Sequence, residues 1–290
     1  MSWLERLAPA HFLDLWSSDR PMYGGWAQLP SPMSAEILGH TGFDWVCIDA
    51  QHGPMGTDSL LSMLQVLTLT GTPAFVRVPW TDPGLIGKVL DAGAVGVIVP
   101  MVSTPEQAAM AAEACRYPPR GIRSMGPSRV QFLNPGYDAA MGDRIARCVP
   151  MIETLEGVER VDEIAAVPGV DGLFIGPGDL SLAGGYPPSL WTDAPDHVAR
   201  IMRVLEACRR HGVVPGIYSG DLELTARWRS AGFRMLALLS DSHFLNTVPR
   251  ALLESIRASE QQATDTPDPT PDTPDSTADT PDPTPARGAA

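Results

Sequence analysis

Eight short apolar runs, separated by stretches long enough for a helix, constrain the fold of this chain more than any other feature. They cover residues 23–27, 44–49, 74–78, 95–100, 148–153, 172–176, 213–218 and 234–239. Most are continuously apolar rather than alternating, which is typical of parallel strands covered on both faces. Eight successive strand–helix units predict a (β/α)8 TIM barrel, with a doubly wound open sheet as the structural alternative.

The stretches between the runs carry helix signals. Ser103 and Thr104 precede Pro105 and an alanine-rich segment, and a capping hydroxyl followed by proline favours the start of a helix. Residues 85–92 and 161–167 space their apolar side chains as a helix does and stop at glycine or proline. These signals support the alternation of strand and helix.

Length and composition fit one domain followed by a tail. The 290 residues are 44% apolar, which suffices for one barrel with a full core, and we predict this domain over residues 1–260. Residues 261–290 read QQATDTPDPTPDTPDSTADTPDPTPARGAA. Because this Thr/Pro/Asp-rich segment offers too little apolar surface to offset the entropy of ordering, we predict a disordered tail.

Charge and cysteine content narrow the class of protein. The net charge of −13 argues against nucleic-acid binding, which rewards clustered basic residues. The N-terminus lacks the apolar segment of a signal peptide, and no run is long enough for a membrane helix. We interpret the widely spaced Cys47, Cys115, Cys148 and Cys208 as reduced core residues of a cytoplasmic protein.

Polar residues stand at the ends of several predicted strands, where a barrel would gather them at one rim. They lie within or just after the second, third, fifth and sixth runs: Asp49, Gln51, His52, Arg77, Glu153 and Asp179. Barrel enzymes carry their active sites at the carboxyl ends of the strands. The sequence therefore predicts an active site at this rim.

Glu153 and Asp179 are expected close together, because neighbouring parallel strands lie about 4.8 Å apart. Two carboxylates that close repel unless a proton or cation lies between them. Oxygen ligands favour a divalent ion such as Mg²⁺, Mn²⁺ or Co²⁺. The alternative is that both carboxylates cap helices. The turn Gly176-Pro177-Gly178 before Asp179 could also present backbone N–H groups to an anion.

His52 and Arg77 suggest proton and enolate chemistry. A histidine held by a carboxylate such as Asp49 is a general base near neutral pH, and a histidine satisfied within a turn is the alternative. An arginine inside an apolar strand needs an anionic partner, either an enzyme carboxylate or a substrate. With a divalent ion, these groups suit proton removal from a 2-oxo acid and attack of the enolate on an aldehyde, or the reverse.

The lysine content bears on the competing aldolase mechanism, in which a lysine at a strand end forms a Schiff base. Lys88 is the only lysine of the chain, and it lies within the predicted helix LIGKVLDAG. A lysine-dependent aldolase is therefore not expected.

Six segments resemble, in order, the HpcH/HpaI aldolases, which are metal-dependent class II pyruvate aldolases and include 4-hydroxy-2-oxo-heptanedioate aldolases. The segments are GFDWVCIDAQHG, FVRVPW, KVLDAGAVGVIVPMVST, RYPPRGIRSMGP, MIETLEGV and GVDGLFIGPGDLS. The resemblance covers residues 24–252 and implies a TIM barrel that joins or cleaves pyruvate, or a related 2-oxo acid, and an aldehyde. It also implies a homo-oligomer, a hexamer or trimer, whose last helix packs on a neighbouring subunit.

The resemblance further implies roles for single residues. Glu153 and Asp179 would hold the divalent ion, and His52 would be the base, positioned by Asp49.

Substrate contacts follow from the same resemblance. Arg77 would bind the keto oxygen and stabilise the enolate, and the amides of Gly178 and Asp179 would receive the pyruvate carboxylate. Asp91 matches an aspartate that lies near the site at a subunit contact in relatives.

Two positions depart from the best-known members of the family. Gln51 replaces the glutamate of their D-G-E-H motif and is expected to affect the choice of aldehyde; Met151 replaces a glutamine often found before the metal-binding glutamate. The stretch RYPPRGIRSMGPSR supplies Arg120, Arg123 and Arg129 between strands 4 and 5. We interpret Arg123 as lying near the mouth, where it could meet an anionic aldehyde, with salt bridges between subunits as the alternative.

Other functions remain as alternatives. Oxaloacetate decarboxylation would use the same metal site and Arg77. A CoA-ester lyase would need a nucleotide-binding surface that the sequence does not reveal. A non-catalytic scaffold with an acidic tail would have no need to keep the charged residues of the rim together.

Overall fold

The computed structural model describes residues 10–265 and closes the eight strands into one barrel. The strands are β1 (Met22–Ala27), β2 (Trp45–Asp49), β3 (Ala74–Arg77), β4 (Gly96–Val99), β5 (Arg147–Ile152), β6 (Gly172–Ile175), β7 (Val214–Gly220) and β8 (Met235–Ser240). All neighbours pair in parallel, and β8 returns to pair with β1. The predicted TIM barrel is confirmed, and every predicted run overlaps its strand.

Helices alternate with these strands along the described chain. They are α1 (Ala10–Ser17), α2 (Pro32–His40), α3 (Thr57–Thr70), α4 (Pro83–Asp91), α5 (Pro105–Ala114), α6 (Ser128–Leu133), α7 (Ala139–Ile145), α8 (Leu155–Glu159), α9 (Val161–Ala165), α10 (Pro177–Ala183), α11 (Pro195–His211), α12 (Leu222–Ala231) and α13 (Asp241–Asp265). The predicted cap at Thr104 is confirmed: its side chain accepts a hydrogen bond from the Gln107 backbone, and Pro105 opens α5.

Side-chain alternation along the strands sorts the core into two layers. Val46 and Ile48 of β2 join the layer between the sheet and the helices, whereas Trp45 and Cys47 join the layer inside the barrel. The next inward position on β2 is Asp49. Because strand side chains alternate with a period of two, the same parity carries polar residues into the barrel at its carboxyl end.

The amino end of the barrel is closed by α1. Phe12 and Trp16 pack against Phe75 of β3, with ring centroids 6.0 and 5.9 Å apart. Arg234 donates to the backbone carbonyls of Leu15 and Trp16 and so fixes the end of α1. Aromatic packing therefore fills one end of the barrel and leaves the opposite rim for chemistry.

The C-terminal part of the chain differs from the predicted domain boundary. α13 extends to Asp265, so the first residues of the predicted tail are helical. The chain divides into two compact units after Asn246, inside α13 and not at residue 260. The rest of the predicted tail, residues 266–290, and the N-terminal residues 1–9 lie outside the described residues.

Two predictions about single residue types are confirmed. All four cysteines are free and buried. Lys88 lies in the last turn of α4 and is exposed. Within residues 10–265, no helix has the length and apolar character needed to cross a membrane.

Candidate active site at the carboxyl rim of the barrel

Asp49 and Arg77 form a two-pronged ion pair at the rim. The parallel register of β2 and β3 places the two residues side by side. Arg77 Nε donates to Asp49 Oδ1 at 2.9 Å and Arg77 Nη2 donates to Oδ2 at 2.6 Å. Sequence reasoning left open whether Arg77 pairs with a carboxylate or a substrate, and the structure assigns it an enzyme carboxylate.

Asp49 also accepts hydrogen bonds from four further donors. Oδ1 accepts hydrogen bonds from the backbone N–H groups of Gln51 and His52 at 3.1 and 3.2 Å. Oδ2 accepts from Trp26 Nε1 and Gln28 Nε2, both at 3.3 Å. A carboxylate with this many donors is held rigidly, so Asp49 serves as the fixed anchor of the rim.

Burial and pairing act in opposite directions on this pair. Burial raises the pKa of Asp49, but the hydrogen bonds and charge of Arg77, with the His52 amide and the Trp26 indole, outweigh it and the net pKa is lowered. Burial likewise lowers the pKa of Arg77, and the bonds to Asp49 raise it above its ordinary value. Both groups are therefore ionised at neutral pH.

His52 is placed differently from the expectation that Asp49 holds its imidazole. Asp49 contacts the backbone N–H of His52, and the side chain is exposed. The expected contact to the ring is wrong, because both oxygens of Asp49 are occupied by Arg77 and by other donors. The position of the residue is fixed through its backbone, and its role as base stays a prediction.

Glu153 is the most enclosed carboxylate of the cavity. It follows β5 and is only 2% exposed. Its Oε1 accepts the backbone N–H of Met101 at 2.7 Å, and Met101 holds a left-handed backbone with φ of 58°. Burial, opposed by the Met101 N–H and supported by the charge of Asp179, raises the pKa of Glu153 to about 7.

The capping alternative for the two carboxylates is wrong. Thr154 caps α8, which follows Glu153. Gly176 occupies the cap position of α10, and Asp179 lies inside that helix. A Cβ on Gly176 would collide with Glu153 Oε2, so glycine allows the close approach of the β6–α10 turn to this carboxylate.

Both carboxylates face the same cavity as Arg77. The cavity has a volume of about 250 Å³. Its walls are Trp26, Gln28, Arg77, Met151, Glu153, Gly176, Pro177, Gly178, Asp179, Leu190 and Tyr218. Four of these, Trp26, Gln28, Leu190 and Tyr218, were missed by sequence reasoning. The alternation of side chains along a strand could have identified Gln28, because it lies two residues after Trp26, which points into the barrel.

The donor set fits a hard divalent ion. Glu153 and Asp179 supply carboxylate oxygens on one wall of the cavity, and the charge of Asp179 helps to raise the pKa of Glu153 when no cation is bound. No group of three or more His, Cys, Asp or Glu side chains with metal-binding geometry occurs within residues 10–265. A two-carboxylate site leaves coordination positions for substrate and water, as Mg²⁺ and similar ions require.

Gln51 does not line the cavity. Its amide oxygen is buried and has no hydrogen-bond partner within residues 10–265. Met151, the other departure from the family, does line the cavity and gives its floor an apolar surface.

Asp91 and Arg123 are not brought to this rim within one chain. Arg123 Nη2 donates to Asp91 Oδ1 at 2.8 Å, and Arg123 lines a small cavity with Val95 and Ala146. Val95 directly precedes β4 and Ala146 directly precedes β5. The Asp91–Arg123 pair therefore lies at the amino end of the barrel. The expectation that Arg123 lies near the mouth is wrong for the chain's own barrel, because Arg123 follows the helix after β4 and not the strand.

Comparisons with known proteins agree with this geometry. Residues 22–247 match the HpcH/HpaI aldolase/citrate lyase family. A hydroxypyruvate/pyruvate aldolase of Rhizorhabdus wittichii is 38% identical, over 84% of this chain and 97% of that protein. A 4-hydroxy-2-oxo-heptane-1,7-dioate aldolase of Klebsiella pneumoniae is 36% identical, over 88% of this chain and 96% of that protein.

A solved structure gives the same result. The crystal structure of an HpcH/HpaI aldolase/citrate lyase family protein from Burkholderia cenocepacia superposes with a TM-score of 0.76 at 33% identity. The match covers 86% of this chain and 99% of that one. The chain belongs to the HpcH/HpaI aldolase/citrate lyase family.

Proposed function

We propose that this chain is a divalent-metal-dependent aldolase, a carbon–carbon lyase that acts on 4-hydroxy-2-oxo acids. It would form or cleave the bond between an aldehyde and the enolate of pyruvate or a related 2-oxo acid. The observation that carries the proposal is one cavity in which Glu153 and Asp179 face the fixed guanidinium of Arg77. The aldolase names of the relatives from Rhizorhabdus wittichii and Klebsiella pneumoniae support it.

Glu153 and Asp179 would hold the ion, which would be Mg²⁺, Mn²⁺ or Co²⁺. A bound divalent ion supplies Lewis-acid polarisation of a keto group. Met101 supports this site, because its backbone N–H fixes the orientation of Glu153.

Arg77 would bind the keto oxygen and stabilise the charge of the enolate. Its Nε and Nη2 are committed to Asp49, whereas Nη1 has no protein partner within residues 10–265 and the residue lines the cavity. A donor that is oriented before the reaction stabilises developing charge without the cost of reorganisation. The ion pair with Asp49 provides that orientation.

The other roles follow from membership of the family, and of these groups Gly178 and Asp179 line the cavity. His52 would remove the proton from C3 in the direction of synthesis, and the backbone amides of Gly178 and Asp179 would receive the carboxylate of the 2-oxo acid. Gln51 would contact the aldehyde through its NH₂ group, which can donate to a carbonyl oxygen. Asp91 would act on a neighbouring subunit, with Arg123 as its partner.

The assembly would be a cytoplasmic homo-oligomer, a hexamer or trimer. α13 carries exposed apolar side chains at helical spacing, namely Leu245, Val248, Leu252 and Ile256, and such a stripe is typical of a helix that packs on another surface. Light scattering of the full chain should give the mass of three or six copies, and the pair of changes Leu252→Glu and Ile256→Glu should lower it. A monomer before any change would contradict this part of the proposal.

Proton NMR of pyruvate in D₂O tests the proposed chemistry. With the protein and Mg²⁺ or Mn²⁺, the methyl signal should decay, and EDTA should stop the decay. Decay that continues in EDTA would contradict the assignment of Glu153 and Asp179 as metal ligands. Absence of decay, together with release of pyruvate from oxaloacetate, would assign the decarboxylase alternative instead.

The variant Asp179→Asn separates the ligand role from the fold. We expect the affinity for Mn²⁺ to fall by orders of magnitude, because an amide lacks the charge that neutralises the ion. Titration calorimetry measures this affinity directly, and an unchanged value would move the ion elsewhere.

A further inference from the structure

Gln28 connects the Asp49–Arg77 pair with the first turn of the C-terminal helix. It directly follows β1 and lines the cavity. Its Nε2 donates to Asp49 Oδ2 at 3.3 Å, and its Oε1 accepts from Ser242 Oγ at 2.6 Å. One amide side chain thus links the anchor of the rim to α13.

The two partners of Gln28 fix which way its amide points. A carboxylate accepts hydrogen bonds only, so the NH₂ group must face Asp49. The hydroxyl of Ser242 then donates to the carbonyl oxygen. Rotating the amide by half a turn would place its oxygen against Asp49 Oδ2, which is electrostatically unfavourable.

The backbone of Gln28 is held as well. Its N–H donates to Asp241 Oδ1 at 2.8 Å. Asp241 is buried and also accepts from the hydroxyl of Ser34 and the N–H of Leu29. The side chain of Gln28 therefore starts from a fixed point and ends between two fixed partners.

We propose that Gln28 is a positioning residue for the enolate-stabilising arginine. It acts through Asp49: the bond to Oδ2 limits the rotation of the carboxylate, and the carboxylate sets the plane of the Arg77 guanidinium. The inference rests on the proposed aldolase function for its effect on rate. The restraint that Gln28 places on Arg77 can be measured without an activity assay.

The experiment uses the full chain and the deuterium exchange of pyruvate with Mn²⁺. Gln28→Met keeps the length of the side chain and removes both hydrogen bonds. Gln65→Met, on the exposed face of α3, is the matched control. We expect Gln28→Met to lower kcat at least tenfold and to change the KM for pyruvate less than threefold, with an unchanged affinity for Mn²⁺. The control should match the parent protein.

A second variant adds a pH readout that a purely structural role would not move. Gln28→Glu keeps the acceptor for Ser242 but places a carboxylate against Asp49, and two such groups share a proton as the pH falls. The protonated acid can donate to Asp49 as the amide does. We expect the ratio of the Gln28→Glu rate to the Gln28→Met rate to rise at least fivefold between pH 8 and pH 5.5.

The restraint on Arg77 is read by the hydrogen exchange of its Nε–H, assigned in NMR spectra by its loss in Arg77→Lys. Gln28→Met should speed this exchange at least tenfold. If Gln28→Met does not fold, Ser242→Ala and Ser242→Thr replace it, and the hydroxyl of threonine should restore what alanine loses.

Several outcomes would overturn the inference. They are a kcat within twofold of the parent, a higher KM with unchanged kcat, which means direct substrate contact, and unchanged exchange of the Arg77 Nε–H. A parent protein that exchanges no pyruvate protons contradicts the proposed function alone, and the Nε–H measurement still decides the restraint.

Discussion

Arg77 and Asp49 meet through two parallel hydrogen bonds from neighbouring strands, at 2.9 and 2.6 Å. The pair lies in register on β2 and β3, so the barrel itself sets their separation. Trp26 lies against the guanidinium, whose Cζ is 5.1 Å from the centroid of the indole ring. This arrangement leaves one edge of the arginine free for the cavity.

The variant Arg77→Lys should lower kcat at least a hundredfold. An ammonium is a single point of charge and cannot bind both oxygens of Asp49 while reaching a substrate oxygen. The loss of donors to the buried Asp49 should also cost about 1–3 kcal/mol of unfolding free energy. Kinetics and urea unfolding measure the two effects. Arg229→Lys, at an exposed position, is the control. Equal rates in the two variants would contradict the need for a guanidinium that binds both oxygens of Asp49.

Glu153 should make metal binding depend on pH near neutrality. Its pKa is raised to about 7, so protons compete with the ion below that value, and the affinity for Mn²⁺ should fall as the pH decreases from 7.5 to 5.5. A slope near zero in a calorimetric titration over this range would contradict the raised pKa.

The same group should lower the stability of the metal-free protein as the pH rises. The unfolded chain ionises Glu153 at its ordinary pKa of 4.5 and the folded chain only near 7. The stabilising effect is therefore complete below pH 4.5 and lost as the pH rises through 7, by about 3 kcal/mol at most. Glu153→Gln should remove this dependence, which urea unfolding in EDTA would reveal.

His52 is predicted to be the base, and its exposed side chain allows a clean test. The variant His52→Ala should abolish the deuterium exchange of pyruvate and leave Mn²⁺ binding intact, because the carboxylates of the cavity are untouched. His40→Ala, exposed at the end of α2, controls for the loss of a surface histidine. Loss of Mn²⁺ binding in His52→Ala would instead make His52 a metal ligand.

His197 should make the protein sensitive to acid outside the active site. It is fully buried in α11, and neither ring nitrogen has a partner within the described residues. Burial, aided by the charge of Arg200 and opposed by Asp196, lowers its pKa from the ordinary 6.5. The unfolded chain therefore binds a proton that the folded chain does not, and stability should fall as the pH drops below 6.5.

The variant His197→Phe tests this origin of the acid sensitivity. Phenylalanine keeps an edge contact with Tyr186, whose ring centroid lies 6.4 Å from that of His197. It should be more stable than the parent at pH 5.5 by on the order of 1 kcal/mol, and this gain should shrink at pH 7.5. An identical gain at both pH values would show that packing and not protonation is responsible.

The barrel was predictable from its eight apolar runs, and the charged rim was predictable because four of these runs contain or closely precede a charged residue. These charged residues are Asp49, Arg77, Glu153 and Asp179. The partners of Asp49 were not predictable, since they depend on the register of β2 against β3 and on the closure of β1 against β8. Sequence spacing suggested that Asp49 contacts the imidazole of His52, three residues away, rather than the guanidinium of Arg77 on the next strand.

Residues without charge at the strand ends escaped sequence reasoning. Gln28 directly follows β1 and Tyr218 lies near the end of β7, but a glutamine or tyrosine in such a position does not by itself indicate an active site. Arg123 shows the opposite error. Its charge suggested a position at the mouth of the barrel. Its place after α5 and before β5 instead indicates the amino end of the barrel.

Gln28 and Ser242 are separated by 214 residues of chain. A ribosome adding 5–20 residues per second needs roughly 10 to 40 s to travel from one to the other. For that time the emerging polypeptide holds β1, β2 and β3 without the segment that orients Gln28. The rim is therefore completed only after residue 242 has been synthesised, and a chain released before that residue lacks a finished site.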